Sequence, residues 1–202
     1  MPAEPAFVIV GASLAGAKAA ETLREHGFEG AVVLIGAEDQ YPYERPPLSK
    51  GYLLGKDGRD SIFPLADGWY AEHDVDLRLG QTVTSIDRAG HRVTLADGQA
   101  VPYDRLLITT GASPRRLNIP GGELDGVRYL RTVGDSEQLA GTLRGGGQVV
   151  IAGAAGSAWR PRPPRASTAA RSRWWSRSPG CCSARWVPSS ARCSRTCTAA
   201  TA

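Results

Sequence analysis

Phe7-Val8-Ile9-Val10-Gly11-Ala12-Ser13-Leu14-Ala15-Gly16 is the stretch that decides the fold. Four consecutive apolar residues predict a strand buried on both faces, and Gly11 closes it. Gly11 to Gly16 nearly spell G-x-G-x-x-G, with Ser13 in place of the middle glycine. In that pattern the glycines let the backbone approach a pyrophosphate held at the N-terminus of the next helix. Small residues also serve any tight strand-to-helix packing, so the pattern alone leaves both readings open.

The flanking sequence favours the nucleotide reading. In residues 14–26, Leu14, Ala15, Ala17, Ala20 and Leu23 fall at helical spacing, with Lys18, Glu21, Arg24 and Glu25 on the other side and Gly27 as the stop. Residues 31–35 are a second apolar run, which completes a strand-helix-strand unit within about thirty residues. An acid that accepts from ribose hydroxyls is expected where the second strand ends. The sequence offers Ala37 and then Glu38, which is one place late and reads equally as a solvated loop acid.

Beyond this unit, residues 41–47 form a loop rich in Pro and Tyr. Residues 48–54 read as a short helix begun by Pro46 and Pro47, and residues 67–73 as another. Residues 77–79, 82–87, 91–95 and 101–103 alternate apolar and polar positions and predict a small antiparallel β insertion. Residues 105–109 return to an apolar strand that ends in Thr110 and Gly111. A Pro/Gly-rich linker, a helix over 136–143 and a strand over 148–152 then open a second unit, whose glycine turn falls at 153–156. The expected fold is α/β: a doubly wound Rossmann-like domain over 1–115 with an antiparallel insertion, then a linker and a partial second nucleotide-binding domain over 116–156.

Charge divides the chain. The whole carries +4, but residues 160–202 hold nine Arg and no Asp, Glu or Lys, which leaves 15 basic and 20 acidic residues in 1–159. The basic balance therefore belongs to the tail. All four cysteines (Cys181, Cys182, Cys193 and Cys197) also lie there, so the body has neither a disulfide framework nor a thiol site. No apolar run reaches membrane-spanning length, and the N-terminus lacks the basic start and apolar stretch of a signal peptide. The expectation is a cytoplasmic protein with no membrane partner and no metal site.

Tyr43-Glu44-Arg45-Pro46-Pro47-Leu48-Ser49-Lys50 is the most specific stretch. It resembles the ferredoxin-reductase family of FAD enzymes, which carry electrons from NAD(P)H to ferredoxin-type iron-sulfur proteins and belong to the pyridine nucleotide-disulfide oxidoreductase superfamily. The resemblance implies that Arg45, Pro47 and Lys50 lie along the FAD, with Lys50 near the reactive face of the isoalloxazine ring. A fixed cation there stabilises negative charge as hydride arrives, which would make Lys50 the catalytic residue. Its plain alternative is an exposed first-turn lysine. Residues 106–111 resemble the family's apolar strand ending in Thr-Gly, which implies FAD contacts at Thr110 and Gly111. Residues 127–132 resemble its Tyr-Leu-Arg-Thr segment, which implies one at Arg131. Val83 matches a position whose backbone meets the adenine end, although it reads equally as a strand residue. The cofactor set implied is Gly11, Ser13, Ala15, Gly16, Ala37, Glu38, Arg45, Pro47, Lys50, Val83, Thr110, Gly111 and Arg131. The disulfide reductases of the superfamily need a Cys pair after the second strand, and this body has none. At 202 residues the chain is short for a protein holding both FAD and NAD(P)H.

Residues 157–202 depart from the family. Beyond Arg160 the only aliphatic residue larger than Ala is Val187, a composition that cannot offset its ordering entropy by burying a core. Disorder is expected. Arg with Trp174, Trp175 and Trp186 offers a nucleic-acid-binding alternative that rests on the tail alone. A frameshift near Ala155 accounts for more: one restored base permits a second glycine turn, an alanine-rich helix and a Val-rich strand ending in Glu. Trp has a single codon, so the Trp174-Trp175 pair forces at least one Val in that frame. The acid closing the decoded strand favours NADH over NADPH in an intact parent. Relatives also carry a Glu in that turn where Arg160 stands, and a later Gly-Asp segment at the flavin. Their absence makes a non-catalytic FAD-binding fragment the alternative to an active reductase.

Overall fold

The computed structural model describes residues 5–146 and 149–152, and the backbone of Ser172–Trp175. The turn at 153–156 and the rest of the tail lie outside the described residues.

β1 (Ala6–Val10), α1 (Leu14–Glu25) and β2 (Ala31–Ile35) form where periodicity places them. α2 (Trp69–Glu72), β3 (Val75–Arg78) and β7 (Arg105–Ile108) complete a parallel sheet in the order β3-β2-β1-β7. Between β3 and β7 lies an antiparallel sheet of β4 (Val83–Asp87), β5 (Arg92–Leu95) and β6 (Ala100–Pro102). The alternation of the central strands then builds three layers. Val8, Val10, Val33 and Ile35 face Val93, Leu95 and Val101 of the antiparallel sheet. Ile9, Val32 and Leu34 face Ala20 of α1, Tyr70 of α2 and Val75. Burial on both sides is what the continuous apolar runs of β1 and β2 require.

Three expectations change. Leu77 and Arg78 belong to β3, which pairs in parallel with β2 (Val32↔Val75, Leu34↔Leu77), with Leu79 just past its end, so residues 77–79 are not part of the antiparallel insertion. The reason is packing: Val75 and Leu77 join the cluster around Ile9 and Leu34, which α2 closes from the same side. Residues 48–54 do not form a helix. A 3-10 turn covers Pro46–Ser49 and ends at Lys50, with Gly51 next and Gly55 at φ +66°, a conformation no helix contains. Ser172–Trp175, expected to be disordered, forms β9, parallel to β8 (Val149–Ala152) with Ile151↔Trp174 in register. Tryptophan favours extended pairing, which outweighs the tail's general lack of aliphatic residues at these positions.

Two polar details shape the layers. Arg24 in the last turn of α1 donates to four carbonyls: Nε to His73 (2.7 Å), Nη2 to Asp74 (2.7 Å), and Nη1 to Phe28 (2.5 Å) and Gly30 (2.8 Å). It thereby ties α1 to the start of β2 and of β3. The Tyr70 hydroxyl, by contrast, is buried with no partner among the described residues. Burial and then the nearby Glu21 carboxylate raise its pKa above that of ordinary tyrosine. A buried hydroxyl without a partner costs free energy, so Tyr70→Phe is expected to keep or raise stability by up to about 1 kcal/mol in chemical denaturation.

No helix among the described residues is long and apolar enough to cross a membrane. Among them no group of His, Cys, Asp and Glu is arranged to hold a metal ion.

Candidate functional site

The C-terminal ends of β1, β2 and β7 lie level, since Val10 pairs with both Ile35 and Ile108. Their outgoing loops therefore meet at one edge, the crevice where open parallel sheets bind ligands. Gly11 N–H donates to the Ile35 carbonyl (2.8 Å), Thr109 N–H to Val10 (2.7 Å), and the Thr109 hydroxyl to the Gly11 carbonyl (2.8 Å). Gly11 has φ +115°, and a side chain there would run into the backbone of Thr109 and Thr110. A Cβ on Gly16 would strike the Gly11 carbonyl and press on Thr109 Oγ1 at 3.1 Å. These two glycines let α1 start directly against the strand ends.

Ser13 is the N-cap of α1 in extended conformation, and its hydroxyl makes no capping bond. The first-turn N–H groups of α1 have no intrahelical acceptors, so together with this hydroxyl they form a ready anion site. Ala15 is exposed on that first turn and Gly16 is buried beneath it. A cradle that any side chain would fill, a helix N-terminus and an uncommitted hydroxyl fit a dinucleotide pyrophosphate.

Beside this turn is a cavity of about 450 Å³, whose lining includes Glu38, Arg45, Thr110, Arg131 and Thr132. Gly111 adjoins Thr110, and a Cβ on it would come within 3.2 Å of the Arg131 guanidinium. Four of the sequence-derived positions thus share one cavity, with Gly111 at its edge. Ala37, Pro47, Lys50 and Val83 do not line it. Ala37 and Lys50 are exposed, Lys50 at the end of the 3-10 turn with its N–H on the Pro47 carbonyl (2.9 Å). Val83 sits on β4 and packs against the antiparallel core. The strand ends just before β4 hold the β2 loop in place, because Gly80 N–H donates to the Glu38 carbonyl and Gln81 N–H to that of Gly36.

Several lining residues were missed by sequence reasoning. Arg116 and Arg128 also face the cavity, and Arg116 lies over the Tyr129 ring at 5.6 Å. Together with Arg45 and Arg131 they exceed the acids Glu38 and Asp135, which suits a doubly charged pyrophosphate. Their signal was present as arginine pairs in residues 113–116 and 127–131, but without the fold nothing joins the two segments.

α3 (Val133–Arg144) opens at the cavity through a capping box. Asp135 Oδ2 accepts from Thr132 N–H (2.7 Å) and Arg131 N–H (3.0 Å), while Thr132 Oγ1 accepts from Asp135 N–H (3.2 Å). Burial works against the Asp135 carboxylate, but these bonds with Thr132 and Arg131 prevail and hold its pKa below the usual value. The stabilisation is therefore complete above the ordinary carboxylate pKa and fades as pH falls through the lowered one. Asp135→Ala is expected to cost about 1 kcal/mol at neutral pH and progressively less in acid, in urea denaturation followed against pH.

A family model described as pyridine nucleotide-disulphide oxidoreductase matches residues 5–158. The chain belongs to this family. All four cysteines lie beyond the matched segment, so no dithiol accompanies the family's frame here. Among curated relatives, rhodocoxin reductase of Rhodococcus erythropolis is 43% identical over 148 residues, which are 73% of this chain and 35% of that protein. The ferredoxin–NAD(P)(+) reductase of a Sphingomonas species is 42% identical, over 72% and 35%. Among solved structures, the covalent putidaredoxin reductase–putidaredoxin complex aligns with TM-score 0.71 at 39% identity, over 75% of this chain and 37% of that one. The ferredoxin reductase for the CYP199A2 system of Rhodopseudomonas palustris aligns at 0.72 and 35%, over 76% and 38%. This member of the family thus spans about a third of the length of the relatives it matches.

Proposed function

We propose that the chain forms the FAD-binding front end of a cytoplasmic flavoprotein that takes electrons from NAD(P)H, with NADH favoured, and delivers them to a ferredoxin-type iron-sulfur protein. The observation that carries this is the glycine cradle at the strand ends, with Thr110 beside Gly11 lining a cationic cavity. It is supported by the likeness to ferredoxin reductases, one of them solved in complex with its redox partner.

In this reading Gly11, Ser13, Ala15 and Gly16 receive the pyrophosphate, Ala37, Glu38 and the Val83 backbone line the adenosine end, and Arg45, Thr110, Gly111 and Arg131 hold the middle. Pro47 and Lys50 stand at the ring end, where the Lys50 ammonium supplies positive charge. When bound, FAD converts between the hydride pair of nicotinamide and the single electrons of an iron-sulfur cluster. No residue need act as a general base.

A second reading is favoured by the chain's span, about a third of its relatives: it binds FAD and does not turn over. Anaerobic addition of NADH to the FAD-loaded chain separates the two. Bleaching of the yellow colour is expected for a working reductase, and a yellow chain that NADH leaves unchanged supports the fragment.

The frameshift near Ala155 belongs to the same proposal. The Trp174-Trp175 pair, whose codons force at least one Val in the alternative frame, lies in β9. Genomic DNA around codon 155 decides it: if no single-base change opens the family frame, the idea is dead.

A further inference from the structure

Tyr43 stands where the loop after β2 meets the start of α3, ninety residues further on. It is 2% exposed, and its hydroxyl donates to Glu38 Oε2. The same oxygen accepts from Arg45 Nη1 (3.0 Å) and from the Val133 N–H (3.2 Å). Arg45 in turn donates to Glu38 Oε1 (2.5 Å) and to the Arg131 carbonyl (2.6 Å). The Val133 N–H belongs to the first turn of α3, where no intrahelical acceptor exists. One phenol oxygen thus ties the loop that runs from β2 to the proline pair, at Glu38 and Arg45, to the N-terminus of α3. Both segments line the cavity.

The arrangement uses the full capacity of the hydroxyl, one donated and two accepted bonds. Burial, and then the hydrogen bond to Glu38, push the Tyr43 pKa up to about 12, so the donated proton stays in place throughout the neutral range. Both Glu38 oxygens are engaged by Tyr43 and Arg45. Long charged side chains lose much rotamer freedom when they are fixed, and an Arg oriented before the ligand arrives binds more tightly than one ordered by it.

We infer that Tyr43 is a positioning residue whose hydroxyl aligns Arg45 and Glu38 for the cofactor and couples their placement to α3. Ligand retention in the cavity then depends on an oxygen that does not line it. The affinity part of this inference rests on the FAD reading of the site, whereas the coupling to α3 does not.

The test compares wild type, Tyr43→Phe, Arg45→Ala and the double variant in FAD titrations at several salt concentrations, with hydrogen exchange at the Val133 amide measured alongside. Each single variant is expected to weaken FAD binding about tenfold, and the double variant to add no more than about threefold, because both act on one cluster. The salt dependence of binding should flatten in Tyr43→Phe as in Arg45→Ala, which a purely structural role would not produce. Exchange at Val133 should accelerate about tenfold in Tyr43→Phe. Wild-type affinity in Tyr43→Phe, or losses that multiply in the double variant, overturn the inference. If wild type takes no FAD, the proposed function fails, and the exchange result alone decides the coupling: faster exchange supports it and unchanged exchange refutes it.

Discussion

Gly11→Ala is expected to lower the stability of the chain by about 2–5 kcal/mol and to abolish FAD binding. Two costs combine. A non-glycine residue in left-handed backbone loses about 1–2 kcal/mol, and forcing atoms into a filled site adds about 1–3 kcal/mol. Gly11 meets both conditions: its φ is +115°, and the atoms in the way are backbone of Thr109 and Thr110 just past β7, with Thr109 N–H held on the Val10 carbonyl. Gly27 serves as the control. It too has positive φ (+75°), but nothing lies within 4 Å of a Cβ there, so Gly27→Ala is expected to show the backbone cost alone, about 1–2 kcal/mol. Urea denaturation of both variants separates strain from collision. Equal losses at the two positions would mean that the close approach of β7 to the turn carries no weight.

Arg24→Ala is the second large effect, expected at about 2–4 kcal/mol in the same measurement. Bonds from a charged donor contribute about 1.5–3 kcal/mol each when taken singly, but the four made by Arg24 share one side chain and are partly open to water. Loss of the side chain leaves the carbonyls of Phe28, Gly30, His73 and Asp74 without this donor. Arg24→Lys is expected to recover less than half, because an ammonium group cannot span carbonyls that a planar guanidinium reaches at several angles. Full recovery by Lys would show that charge at the helix C-terminus matters and the bridging geometry does not.

The first strand-helix-strand unit was legible because burial imposes its periodicity directly on the sequence. Continuous apolar runs mark β1 and β2, and spacing marks α1. β3 was misplaced because a short alternating strand looks the same at the edge of a parallel sheet as in a hairpin. What separates the two is the partner, and Val75 finds β2 more than forty residues earlier. The short helix after the proline pair failed for a local reason that was visible: Gly51 falls inside the expected span and Gly55 directly follows it.

The site was legible as motifs and not as an arrangement. Gly11 and Gly16 could be named because each imposes a backbone geometry on its own segment, whereas Thr110 and Gly111 came from the family resemblance. Tyr43 had no such signature. Its role comes from Val133, ninety residues away, and from the position of Glu38, which a linear reading left open between ribose acceptor and loop acid. Arg116 and Arg128 were hidden for the same reason, since their shared purpose exists only where two loops meet.

Isothermal titration of the purified chain with FAD, and separately with FMN, tests the central claim most directly. One FAD per chain, with FMN bound much more weakly because it lacks the adenosine half that the proposed function assigns to Glu38 and the Val83 backbone, is the predicted result. No binding of FAD, or equal affinity for both flavins, would contradict it.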